Sequence, residues 1–141
     1  MVKLLQPFLQ DAISTMRIEN FEAFRKMSRC SAPFSASIQN STEIFTMTFT
    51  QQEVLFNLPG ATDLQVQLRE HVVEDLMSNR TSLLRALRKN EIVAIGSIDA
   101  LARLNEAFST FVRGAIRCPS LPALLHNYQN QGTGGSRREK V

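Results

Sequence analysis

The side chains best suited to acid–base or metal chemistry gather in one short run, Arg69-Glu70-His71-Val72-Val73-Glu74-Asp75. On a helix, His71 would have Glu74 three residues ahead and Asp75 four ahead. All three would then share a face, as a base with an orienting carboxylate or as ligands of a metal. No nucleophile and no third ligand stands at a supporting spacing. The plainer reading is therefore a solvated helix face with a weak attraction of a few tenths of a kcal/mol between its charges.

Cys30 and Cys118 are far apart in the chain, and with His126 they fall in none of the ligand spacings of a zinc site. Both cysteines lie near predicted helix C-termini, where the negative end of the helix dipole disfavours a thiolate, so they read as inert thiols. The glycine-rich phosphate loops, the nucleophile elbow, the HExxH metalloprotease motif and the EF-hand loop are all absent. The expectation is a protein without catalytic residues, metal or cofactor.

A second kind of chemistry is electrostatic. Arg80, Arg85, Arg88 and Lys89 lie within ten residues, and the last three share one face of a predicted helix, a set that could neutralise several phosphates. Arg137, Arg138 and Lys140 add a basic C-terminal end. The formal charge of +3 is unevenly spread. Residues 1–60 hold five basic and five acidic side chains, residues 61–128 eight and seven, and residues 129–141 three and one. The body is nearly neutral, so the basic character is local. Only one Tyr and no Trp are present, which leaves few stacking platforms for bases.

The elements that would carry these residues follow from periodicity. Residues 7–29 read as a helix with Leu9, Ala12, Ile13, Met16, Ala23, Phe24 and Met27 in one stripe, and with a break at Asn20 that would cap a second segment. After Ala32-Pro33 the period changes to two. Phe34, Ala36 and Ile38, then Phe45, Met47 and Phe49, alternate with Ser, Thr and Gln as a β-hairpin with one polar face. Gln51–Leu58 fits either a capping box or a third strand, the strand being preferred, and Pro59-Gly60 ends it.

Thr62 and Gln65 form a capping box ahead of Leu64, Leu68, Val72 and Leu76 at steps of four, which reads as a helix ending at Ser78-Asn79. Thr81 caps a helix over 82–89, and residues 91–96 form a connector to the next, either helical or extended. Ser97 caps the clearest helix, over 98–117, whose apolar side covers more than half its circumference, with Asn105 inside that arc. Such a helix is either central to the fold or shared with a second subunit. Residues 120–128 form a last short helix, and the Gly/Gln/Asn-rich residues 129–141 read as a flexible tail.

The chain has 141 residues, of which 43% are hydrophobic and 21% charged, in the range of one globular domain, here 1–128. No apolar run approaches the roughly 18–20 residues of a membrane span. Gln6, Pro7, Gln10 and Asp11 interrupt any signal-peptide core, so the expected location is intracellular, cytoplasmic or nuclear. The fold class expected is α+β and helix-rich: a long N-terminal helix, a small antiparallel meander and three or four further helices.

The functional expectation is a non-enzymatic interaction or assembly protein that self-associates or binds another protein. Its interface would use Leu101, Asn105, Phe108, Phe111, Val112 and Ile116. The alternative is a small nucleic-acid-binding protein using Arg80, Arg85, Arg88, Lys89 and the basic tail. A third possibility is an enzyme built on His71 with Glu74 or Asp75, which would need a concavity beside that histidine.

Overall fold

The computed structural model describes residues 4–69, 71–78 and 80–140, and the side chains of these except for residues 30–31 and 131–140. Helix α1 (Leu5–Glu19) and helix α2 (Phe21–Ser31) are separated by Asn20. There a non-helical backbone (φ −146°, ψ 69°) breaks the helix, and the Asn20 side chain accepts a hydrogen bond from the Ala23 N–H at 3.4 Å. The break is thus made by a capping residue, in keeping with Ile18 and Phe21 falling off the apolar stripe and Asn20 inside it.

Strands β1 (Phe34–Gln39) and β2 (Ile44–Phe49) form the antiparallel hairpin, with Phe34 opposite Phe49 and Ile38 opposite Phe45. Strand β3 (Val54–Phe56) adds to β2, so the strand reading of this segment holds.

The segment after Pro59-Gly60 differs from its sequence reading. Residues 64–68 form strand β4 (Leu64–Leu68), not the first turn of a helix, and only Val72–Met77 is helical (α3). Leu64 and Leu68 are four apart and satisfy both a helical and a two-residue period. Val66 separates the two cases, because on a helix it would point away from Leu64 while on a strand it joins it. Val66 is buried with Leu64, and Gln65 and Gln67 face outward. β4 is recruited by the free edge of β1, which it joins in parallel, Ile38 lying opposite Val66.

After α3 and α4 (Leu83–Arg88, capped by Ser82 rather than Thr81), residues 92–96 form strand β5 (Ile92–Gly96), antiparallel to β4. The result is a five-stranded sheet of order β3-β2-β1-β4-β5. The expected three-stranded antiparallel meander is the left part of this larger mixed sheet.

Helix α5 (Ile98–Ala115) follows, capped by the Ser97 hydroxyl, which accepts from the Ala100 N–H at 3.0 Å. Helix α6 begins at Leu121 and spans Leu121–Lys140. The class is α+β, as expected. Arg137, Arg138 and Lys140 lie outside the described side chains; the backbone of residues 129–140, expected as a flexible tail, continues helix α6.

The alternating strands send Phe34, Ala36, Ile38, Phe45, Met47, Phe49, Leu64, Val66 and Ile92 to one face, where helices cover them. The opposite face carries Ser35, Ser37, Thr46, Thr48, Gln65 and Gln67, all exposed or half-buried. α5 packs on β1 and β5 and, along its other side, on α2. Ala23 and Gly114 set that helix contact: a Cβ added to Gly114 would stand 2.5 Å from the Ala23 Cβ. The wide apolar arc of α5 is thereby explained within one chain. The helix packs on the sheet along one flank and on α2 along another, and needs covering on both.

Candidate functional site

One apolar cavity of about 130 Å³ lies between the covered face of the sheet and the helices. The alternation of β1, β2, β4 and β5 places Ala36, Ile38, Met47, Phe49, Val66, Leu68 and Ile92 on its floor. Leu5, Leu9 and Ile13 of α1 and Met27 of α2 form one wall; Leu104, Ala107, Phe108 and Phe111 of α5 form another. Val73, Leu76 and Met77 of α3 and Leu83 of α4 close it over β4 and β5. Every lining residue is apolar. Interiors are normally packed so closely that few voids exceed a water molecule, and a space of this kind stays dry because it offers water no partner.

The walls are held by polar contacts outside the cavity. The Glu43 carboxylate, on the β1–β2 turn, accepts from the backbone N–H groups of Leu5 and Gln6 and so caps the open N-terminus of α1. Asn20 Nδ2 donates to the Gly114 carbonyl at 3.2 Å, tying the α1–α2 break to α5. Glu19 at the end of α1 accepts from the Ser120 hydroxyl and N–H, which lowers its pKa, and Arg103 donates to the Ala32 carbonyl at 3.2 Å.

Tyr128 of α6 stacks on Phe8 of α1 with ring centroids 4.6 Å apart. Burial, and secondarily the charge of Glu43, push its phenol up to about 12.

The titratable residues singled out in the sequence do not meet at this cavity. His71 stands just before α3, exposed, with Nε2 3.1 Å from Glu91 Oε2. Asp75 instead accepts from Arg80 Nε at 2.9 Å. The expected grouping of His71 with Glu74 and Asp75 on one helix face is replaced because His71 precedes the helix, and the apolar cavity is not lined by His71. No set of three or more metal-ligating side chains occurs among the described residues. The Cys118 thiol is buried, donates to the Gly114 carbonyl at 3.4 Å and has its pKa raised by that burial, so it is a structural thiol.

Of the six expected interface residues, Phe108 and Phe111 line the cavity. Leu101, Asn105 and Val112 are half-buried, and Ile116, just past α5, is exposed. They do not form one outward surface, because α5 is covered from two sides. Arg85, Arg88 and Lys89 are exposed on the outer side of α4, whose inner side is Leu83 and Ala86.

No protein-family model matches the chain, and no curated protein sequence matches it. Solved structures do match in shape. A ubiquinone synthesis protein, described as UbiJ-SCP2, superposes with a TM-score of 0.58 at 14% identity, over 80% of this chain and 96% of the other. The fold is that of sterol carrier protein 2. The apo form of that protein from Yarrowia lipolytica superposes with a TM-score of 0.56 at 14% identity, over 78% of this chain and 97% of the other. A palmitated SCP2L2 from Aedes aegypti gives 0.53 at 15% identity, over 74% and 93%.

The expectation of a self-associating interaction protein is corrected by these findings, and so is the nucleic-acid alternative. The neighbours in fold are sterol carrier domains, and the aromatic residues of α5 on which self-association was argued turn into the chain's own cavity. What sequence reasoning missed is the cavity's lining as a set. Its residues come from α1, α2, four strands, α3, α4 and α5, and no local pattern links them. Among the described residues no helix is long and apolar enough to cross a membrane.

Proposed function

We propose that this protein is a non-catalytic carrier of an apolar molecule with a lipid-like chain, held between the sheet and helices α1, α3, α4 and α5. The observation that carries the reading is the cavity lined by apolar side chains alone. Such a lining can hold a hydrocarbon chain and offers no group able to transfer a proton or attack a carbonyl, so it stores and releases without reacting. The neighbours in fold include a sterol carrier protein and a palmitated protein, which supports the same ligand class.

The cavity's size sets a further requirement. A space of roughly 150 Å³ accepts a guest the size of benzene. An acyl chain is several times larger, so it enters only if part of the wall moves outward. The cover formed by α3 and α4 is the part suited to do so: each is only six residues long, too short to be stable by itself.

Displacement of a fluorescent fatty acid by palmitate tests the proposal. Saturable binding is expected, lost in an Ala107→Phe variant whose ring fills the cavity and retained in a Leu84→Ser variant on the exposed side of α4. Circular dichroism checks that both variants fold. If the wild type fails to bind, or if Ala107→Phe binds as well as wild type, the carrier reading is wrong.

A further inference from the structure

The strongest unassigned feature lies on the opposite side of α2 and α5 from the sheet. There the two helices flank a groove of about 690 Å³ lined by Arg25, Lys26 and Arg29 of α2, Arg113 of α5 and Arg117 just beyond it, against a single acid, Glu22. Its distribution explains why the sequence concealed it. The five cations come from two segments separated by more than eighty residues, each of which also carries acids, so neither reads as a basic run. The exposed stripe of α2 and the polar stripe of α5 become neighbours only because Ala23 and Gly114 let the helices approach closely.

Two observations indicate that the groove is built for an anion. Among the described residues none of the five cations is held in an ion pair, although elsewhere Arg80 and Arg103 pair with Asp75 and Asp99. Thr110, only 3% exposed, lies among the groove's lining residues, and its hydroxyl has no hydrogen-bond partner. A buried hydroxyl without a partner costs stability, and five like charges converging on one acid repel one another. A phosphate group would answer both: its oxygens accept from guanidinium forks and from a hydroxyl, and its charge offsets the repulsion.

We infer that the α2–α5 groove binds a phosphate-bearing anion, either a soluble phosphoester or the headgroup of an anionic lipid. Ile116, 79% exposed, borders the same groove and would face the acyl region if the phosphate belonged to a lipid surface. The inference stands on charge and burial at this groove and is independent of whether the interior cavity holds a lipid.

The test uses pyrophosphate as the soluble probe and vesicles of phosphatidylcholine with or without phosphatidylglycerol as the membrane probe. Calorimetry with pyrophosphate is expected to show binding that weakens with salt, and by about tenfold or more in a Lys26→Gln/Arg113→Gln variant. Arg85→Gln/Arg88→Gln on α4 is expected to bind as wild type does. Removing two of the five like charges is also expected to raise the melting temperature at low salt, which shows that the variant folds. Sedimentation with anionic but not neutral vesicles, lost in the same variant, assigns the phosphate to a lipid headgroup. Pyrophosphate binding without vesicle binding assigns it to a soluble ligand. Absence of both, or binding that follows the α4 pair instead, overturns the inference. Fatty-acid displacement measured on the same variant stays at the wild-type level if the groove and the cavity are separate sites.

Discussion

Tyr128 is the chain's one tyrosine, so its ionisation can be followed by ultraviolet absorbance without interference. Because its phenol is pushed up to about 12 by burial, titration is expected well above the ordinary value near 10, and a midpoint near 10 would mean that Tyr128 is solvated. The sign for stability follows. The unfolded phenol ionises first, so this contribution is intact below about pH 10 and is lost as pH rises toward 12.

Gly114 is a second case. Alanine in mid-helix is ordinarily better than glycine by about 1 kcal/mol. Here the added methyl would stand 2.5 Å from the Ala23 Cβ on a facing helix, a contact that forces the helices apart. Gly114→Ala is expected to destabilise by roughly 1–3 kcal/mol in denaturant titration, and Ala23→Gly in the same chain is expected to recover part of the loss.

At the scale of elements, the break between α1 and α2 matters more than either helix alone. Asn20 caps α2 through its side-chain oxygen and holds α5 through its amide, which donates to the Gly114 carbonyl. Asn20→Ala loses both and is expected to cost about 1–2 kcal/mol, read from the urea midpoint. A neutral result would mean that the cap is made by solvent.

The short helices α3 and α4 are the opposite case, since only Val72, Leu76, Leu83 and Ala86 anchor them with fully buried side chains. Amide hydrogen exchange is expected to be faster over residues 72–88 than over β1 and β4, and to slow when palmitate is added. Uniform protection before and after ligand would rule out this segment as the cover that moves.

For the whole molecule, binding inside the cavity links to stability. A ligand present at a hundred times its dissociation constant stabilises the folded state by about 2.7 kcal/mol if it binds only that state. A rise in melting temperature with palmitate, absent in Ala107→Phe, is therefore expected. Pyrophosphate at the α2–α5 groove would add to it, because the two sites share no lining residue.

Local spacing along the chain settles what neighbouring residues decide together. The Asn20 cap, the Phe34–Phe49 hairpin, the Ser97-capped helix and the even balance of charge in the body all follow from short-range spacing. Tertiary structure decided the rest. Leu64–Leu68 fits two periods over so few residues, and only the free edge of β1 selects the strand. The apolar excess of α5 has the same composition whether it faces a second subunit or the chain's own sheet and α2, and its packing against both of these selects the second. The cavity and the basic groove draw their residues from elements distant in sequence. Their existence is a property of where surfaces meet, which hydrophobic and charge patterns along one chain do not encode.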